Sequence, residues 1–181
     1  MANSEMRIAV GQFNELTDEK LRYAAQIGVQ GIQLNTPLIP GDTHWEERDL
    51  RVLVERCSER GLTLEATENV PVHFYHKAML GLPGRDEQIE RYCTTLRNMG
   101  RAGIPMLGFH FMPNSVWRTA RFAPGRGGAG CTKFDMAVVD ATPDEWREYL
   151  PTSLGRQEAM PLFVKGEAVI DAETMWANYA Y

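Results

Sequence analysis

No stretch of this sequence is apolar for long enough to cross a bilayer. Its first residues, MANSEMRIAVGQF, have no apolar core behind a basic start, so neither membrane insertion nor secretion is expected. Cysteine is scarce: Cys57, Cys93 and Cys131 are odd in number, widely spaced and outside any CxxC or Cys/His ligand spacing. That excludes a disulfide framework or a zinc knuckle and fits a reducing cytoplasm. Positive charge is in deficit too, with 19 Lys and Arg against 24 Asp and Glu and a formal net charge of -5. Without a basic face to displace counterions from phosphate, a general nucleic-acid binder is excluded.

What is present is enough apolar material for a core, 44% of 181 residues, and length favours one domain over residues 1–181. A unit recurs through the chain: an amphipathic helical stretch, a glycine, then a short apolar run ending in a polar residue. Leu21, Ala24, Ala25 and Ile27 precede Gly28 and the strand-like Gly31-Ile32-Gln33-Leu34-Asn35, with Thr17, Asp18 and Glu19 as the helix start. Leu50, Leu53, Val54 and Cys57 precede Gly61 and the run from Leu62 to Glu68. Ile89, Tyr92, Cys93, Leu96 and Met99 precede Gly103 and the run from Ile104 to Phe111. Each glycine stands where a helix needs a left-handed stop.

With Arg7-Ile8-Ala9-Val10-Gly11 this makes four strands alternating with helices, an α/β pattern that calls for parallel strands with right-handed crossovers. A doubly wound sheet and a (β/α)8 barrel both satisfy it. Polar residues at the carboxyl ends of successive strands, Asn35, Glu68 and His110, favour a partial barrel, because barrel active sites are built at that end. Any one of them alone also reads as an ordinary residue beginning a loop. From His110 to about Ile170 a long Pro/Gly-rich stretch reads as an extended loop after strand four. Asp171-Ala172-Glu173 then caps a helix with Met175, Trp176 and Tyr179, and the chain reads as truncated within it. A whole barrel takes about 250 residues, so half of one is expected to self-associate or to dock a missing second half.

Among single motifs, Gly125-Arg126-Gly127-Gly128-Ala129-Gly130 matches GxGxxG but follows Ala-Pro rather than a strand, so a flexible loop or lid is the better reading. His73 and His76 lie three apart, a spacing that on a helix forms a metal pair. Pro71 just before them favours a loop with substrate-facing polar groups. His110 between Phe109 and Phe111 is either a buried core histidine or an active-site acid, base or ligand. Trp117-Arg118-Thr119 offers a planar cation for a carboxylate beside an aromatic wall, or else a surface arginine packed on a tryptophan.

Taken in order, Glu68-Asn69-Val70-Pro71-Val72-His73, Lys77, Gly84-Arg85-Asp86, Ile89-Glu90, Tyr92, Arg97-Asn98 and Ala102-Gly103-Ile104 resemble the matching run of mannonate dehydratases. Phe111-Met112-Pro113 and Trp117-Arg118-Thr119 continue it, with His110 standing where that family has Asn. Ile39-Pro40-Gly41 with Trp45, and Met175 to Tyr179, add weaker similarity. The resemblance implies the amino-terminal half of a xylose-isomerase-like barrel, dehydrating D-mannonate to 2-keto-3-deoxy-D-gluconate in hexuronate breakdown with Fe(II) or Mn(II). It implies metal ligands outside this chain, which alone is then expected to be inactive. His110 becomes the expected catalytic residue. Arg118, Trp117, Thr119, His73, Glu68 and Asn35 become the expected contacts to a small sugar acid. A sugar isomerase or epimerase on the same scaffold, and an inactive half-barrel binding module, are the competing readings.

Overall fold

The computed structural model describes residues 6–111, 118–141 and 171–181, and in it each expected helix stop carries a left-handed glycine. Gly28, Gly61 and Gly103 have φ of 77°, 68° and 87°. Past the second and third stops, the Leu62 and Ile104 amides donate back to the Cys57 and Met99 carbonyls at 3.0 Å. This Schellman closure buries Leu62 and Ile104 as each chain segment turns into the next strand.

The chain divides into two compact units, Met1–Phe111 and Met112–Tyr181. The first has the order β1 (Ala9–Phe13), α1 (Asp18–Gln26), β2 (Gly31–Asn35), α2 (Glu47–Ser58) and β3 (Thr63–Glu68). A 3-10 helix (Val72–Phe74), α3 (His76–Leu80), α4 (Arg85–Ala102) and β4 (Leu107–Gly108) follow. The Thr17 side chain caps α1 by accepting from the Lys20 amide at 3.2 Å, as its position before Asp18 and Glu19 predicts. The strands form one parallel sheet in the order β1-β2-β3-β4. The fourth is far shorter than its apolar run: β4 pairs Leu107 and Gly108 with Thr67 and Glu68, and Pro105 brings no amide hydrogen to extend it.

One sheet face is apolar. Ile32, Leu34 and Leu64 are buried, α2 packs on β3 and α4, and Leu50, Leu53 and Cys57 of α2 are buried with them. The other face is thin and polar. A Cβ on Gly31 would run into Ala9 and the Glu65 side chain, and one on Gly11 into the Gln33 backbone. The Glu65 carboxylate takes both forks of Arg7, at 2.8 and 2.9 Å.

The core face of α4 departs from its apolar spacing. Met99 is buried as expected, but Leu96 is exposed, and the other buried positions are Gln88, Thr95, Asn98 and Ala102. The polar ones hold loops. Thr95 Oγ1 accepts from the Trp45 amide at 3.2 Å, and Asn98 Nδ2 donates to the Trp45 carbonyl at 2.7 Å. Trp45, fully buried, meets Phe74 edge-on at 5.9 Å. Hydrophobic periodicity cannot register a helix face used to satisfy loop backbone.

In the second unit, the glycine-rich run is neither a phosphate loop nor a plain loop. It turns an antiparallel hairpin, β5 (Ala120–Pro124) and β6 (Gly130–Lys133), with Gly127 and Gly128 at φ of 67° and 80°. The expected helix near Asp171 is α5 (Ala172–Ala180), capped by Asp171 Oδ1 accepting from the Thr174 amide at 2.8 Å. No helix among the described residues is long and apolar enough to cross a membrane.

Candidate active site

The carboxyl ends of β1, β2 and β3 carry three residues in left-handed backbone that are not glycine: Gln12 at φ 55°, Thr36 at 43° and Asn69 at 62°. Such φ values are costly for side-chain-bearing residues and cluster at functional sites. Asn35 and Glu68, both expected here, are register partners at the ends of β2 and β3. Two further residues, unforeseen, meet Glu68. Gln12 Nε2 donates to Glu68 Oε2 at 2.6 Å, and Gln33 Nε2 donates to the same oxygen at 3.0 Å. Gln33 shares a face with Asn35 by simple alternation and was legible on that ground. Gln12 was not, because the β1–β2 register slips between Gly11 and Phe13 and leaves it in a bulge.

Asn35 is engaged locally: its carbonyl accepts from Asn14 Nδ2 at 2.6 Å and its side-chain oxygen from Thr36 Oγ1 at 3.0 Å. Asn69 is buried, and its Oδ1 has no hydrogen-bond partner among the described residues. His110, half-buried, follows β4 at the same end of the sheet.

The segment after β3 is more ordered than a loop. His73 lies in the 3-10 helix with its ring edge-on to Phe74 at 4.9 Å, and His76 opens α3. Gln88 reaches both, its Nε2 lying 2.8 Å from the His73 carbonyl and 3.3 Å from His76 Nδ1. Burial pushes the His76 imidazole below its ordinary value, so it favours the neutral form.

Arg118 and Thr119 lie in the second unit, while Trp117 is outside the described residues. Arg118 Nε donates to Thr132 Oγ1 at 3.2 Å. The Thr119 hydroxyl is spent within the hairpin, donating to the Lys133 carbonyl at 3.2 Å and accepting from the Asp135 amide at 2.8 Å.

A metal does not fit the strand-end set. One carboxylate beside carboxamides is a poor donor set for Fe(II) or Mn(II), which favour several carboxylates and imidazoles. Among the described residues no group of three or more His, Cys, Asp and Glu is placed to hold an ion. The arrangement can instead bind hydroxyls through oriented acceptors and amides.

The model of the D-mannonate dehydratase family matches residues 6–181. The mannonate dehydratase of Streptococcus pneumoniae (strain 70585) is 33% identical over 178 residues, covering 94% of this chain and 47% of that protein. That of Thermotoga neapolitana is 34% identical over 144 residues, 77% of this chain and 39% of its own. The crystal structure of mannonate dehydratase from Streptococcus suis serotype 2 superposes with a TM-score of 0.71 at 27% identity, over 98% of this chain and 48% of that one. The chain spans about half the length of the curated relatives it matches.

Proposed function

This chain belongs to the D-mannonate dehydratase family, and we propose that it serves the metal-dependent elimination of water from D-mannonate, giving 2-keto-3-deoxy-D-gluconate in cytoplasmic hexuronate breakdown. The observation that carries this is the family match over residues 6–181, which takes in every strand and helix described above. Strands β1–β4 are then the first four of a (β/α)8 barrel. Their order supports it: neighbours in sequence are neighbours in the sheet, without the reversal that marks the ligand crevice of a doubly wound fold.

In the reaction, a base removes the proton on the carbon bearing the carboxylate, an acid protonates the departing hydroxide on the next carbon, and the resulting enol becomes the 2-keto acid. A divalent metal, were one bound, would supply stabilisation of the charge developing on the carboxylate side, and the described residues offer no group of three or more His, Cys, Asp and Glu to hold it. What this chain contributes is binding. Glu68, Asn35 and His73 are assigned to substrate hydroxyls, and His110 to a hydroxyl or to proton transfer. Arg118, with Trp117, is assigned to carboxylate recognition through its planar fork, while Thr119, expected to join them, has its hydroxyl engaged within the hairpin.

The test is turnover of D-mannonate with Mn(II) or Fe(II), by the chain alone and co-expressed with the unmatched portion of the Streptococcus suis relative. Release of a 2-keto-3-deoxy acid in either sample supports the reading. Interconversion of aldoses and ketoses without dehydration reverses it in favour of an isomerase.

A further inference from the structure

We propose that Gln12 and Gln33 are positioning residues that lock the Glu68 carboxylate, so that its second oxygen accepts a hydrogen bond from a hydroxyl of the polyhydroxy chain of a sugar acid. This rests on the strand ends being the substrate face, and it adds which end of the substrate meets them.

Three strands converge on one atom. Gln12 from β1 and Gln33 from β2 both donate to Oε2 of Glu68, at 2.6 and 3.0 Å, which uses the two acceptor positions of that oxygen. Among the described residues no hydrogen bond reaches Oε1. On the other edge of β3, Glu68 pairs in register with Gly108 of β4. Gln12 is brought there by its bulge and its left-handed backbone at φ 55°, a device that re-aims a side chain at a cost in stability.

The chemistry selects the ligand group. The Glu68 carboxyl is gripped through one oxygen by two neutral amides, with no Lys or Arg bonded to it among the described residues, so the oxygen it presents is an acceptor. It repels a substrate carboxylate and accepts from a hydroxyl. Immobilising it beforehand removes the entropy cost of ordering it on binding. The sugar acid therefore lies with its hydroxyl chain toward β1–β3.

The experiment follows the side-chain amide resonances of Gln12 and Gln33 in the 15N-labelled chain during titration with D-mannonate, mannitol and propionate. D-mannonate and mannitol should shift both saturably, and propionate, a carboxylate without hydroxyls, should not. A folded Gln12→Leu or Gln33→Leu variant should bind mannitol about threefold to tenfold more weakly, the loss of one charge-assisted hydrogen bond's orienting effect. Equal shifts from propionate, no shift from any probe, or wild-type affinity in the folded variants would each overturn the proposal. Shifts with mannitol but not D-mannonate would leave the hydroxyl site standing and remove the sugar-acid reading.

Discussion

The side chain of Gln88 in α4 binds the backbone of His73, fifteen residues before it, through a 2.8 Å hydrogen bond from Nε2 to the carbonyl. Its Oε1 at the same time accepts from the Lys77 and Ala78 amides at 2.7 and 3.1 Å. One buried carboxamide thus closes the segment after β3 at both ends of its turn. Replacing it by Gln88→Leu leaves those backbone groups without partners and should cost about 2–4 kcal/mol in urea unfolding. Amide exchange at Lys77 and Ala78 should rise first. Unchanged exchange there would show that the segment is held by packing alone.

Gly11 should tolerate no side chain although its backbone is not left-handed. A Cβ there meets the carbonyl and Cβ of Gln33, so Gly11→Ala must separate β1 from β2. Gly28→Ala meets nothing within 4 Å and carries only the penalty of its φ of 77°, about 1 kcal/mol. Thermal unfolding of the two variants should place Gly11→Ala well below Gly28→Ala.

Alkaline stability should fall early. Burial pushes the Cys57 thiol from 9.0 to about 11, and burial, then Tyr75 and Cys93, push the Tyr92 phenol from 10.0 to about 12. Both groups hold their proton more tightly when folded, so their contribution is complete below pH 9 and lost as pH rises through the folded values. For Cys57 the loss between the two values is on the order of 2 kcal/mol. Urea midpoints measured across that range should decline, and less steeply in Cys57→Ala. Alkylation at pH 8 should mark exposed Cys131 well before Cys57.

Arg118 and Thr119 adjoin in sequence but should separate in experiment. Thr119→Val removes the acceptor for the Asp135 amide, so exchange at Asp135 and across β5–β6 should accelerate. Arg118→Lys keeps the charge but loses the planar fork and its Nε bond to Thr132; it should lower D-mannonate turnover of the complemented protein by at least about tenfold. Unaltered turnover would remove Arg118 from substrate binding.

Much of the architecture is legible residue by residue. The stops at Gly28, Gly61 and Gly103, the cap at Thr17 and the strand over Gly31–Asn35 follow from local conformational preference and from apolar spacing, and the structure shows each of them. The polar strand ends Asn35 and Glu68 stand where they were expected. The core face of α4 was not legible, because its Thr95 and Asn98 answer the Trp45 backbone 50 and 53 residues away. The hairpin around the glycine run joins close neighbours in sequence and β4 is cut short beside Pro105, so both had local signals that the apolar spacing alone does not register.

The sequence by itself thus determined the alternation of helix and strand and the polar character of the strand ends, because glycine backbone freedom and side-chain periodicity act over a few residues. Only the tertiary structure decided which polar groups meet. Glu68 finds Gln12 and Gln33 across separations of 56 and 35 residues, through a bulge that turns one amide out of the strand's alternation. Alternation tells which face Gln33 takes but not what it meets, so its partner is fixed only when three strands lie side by side.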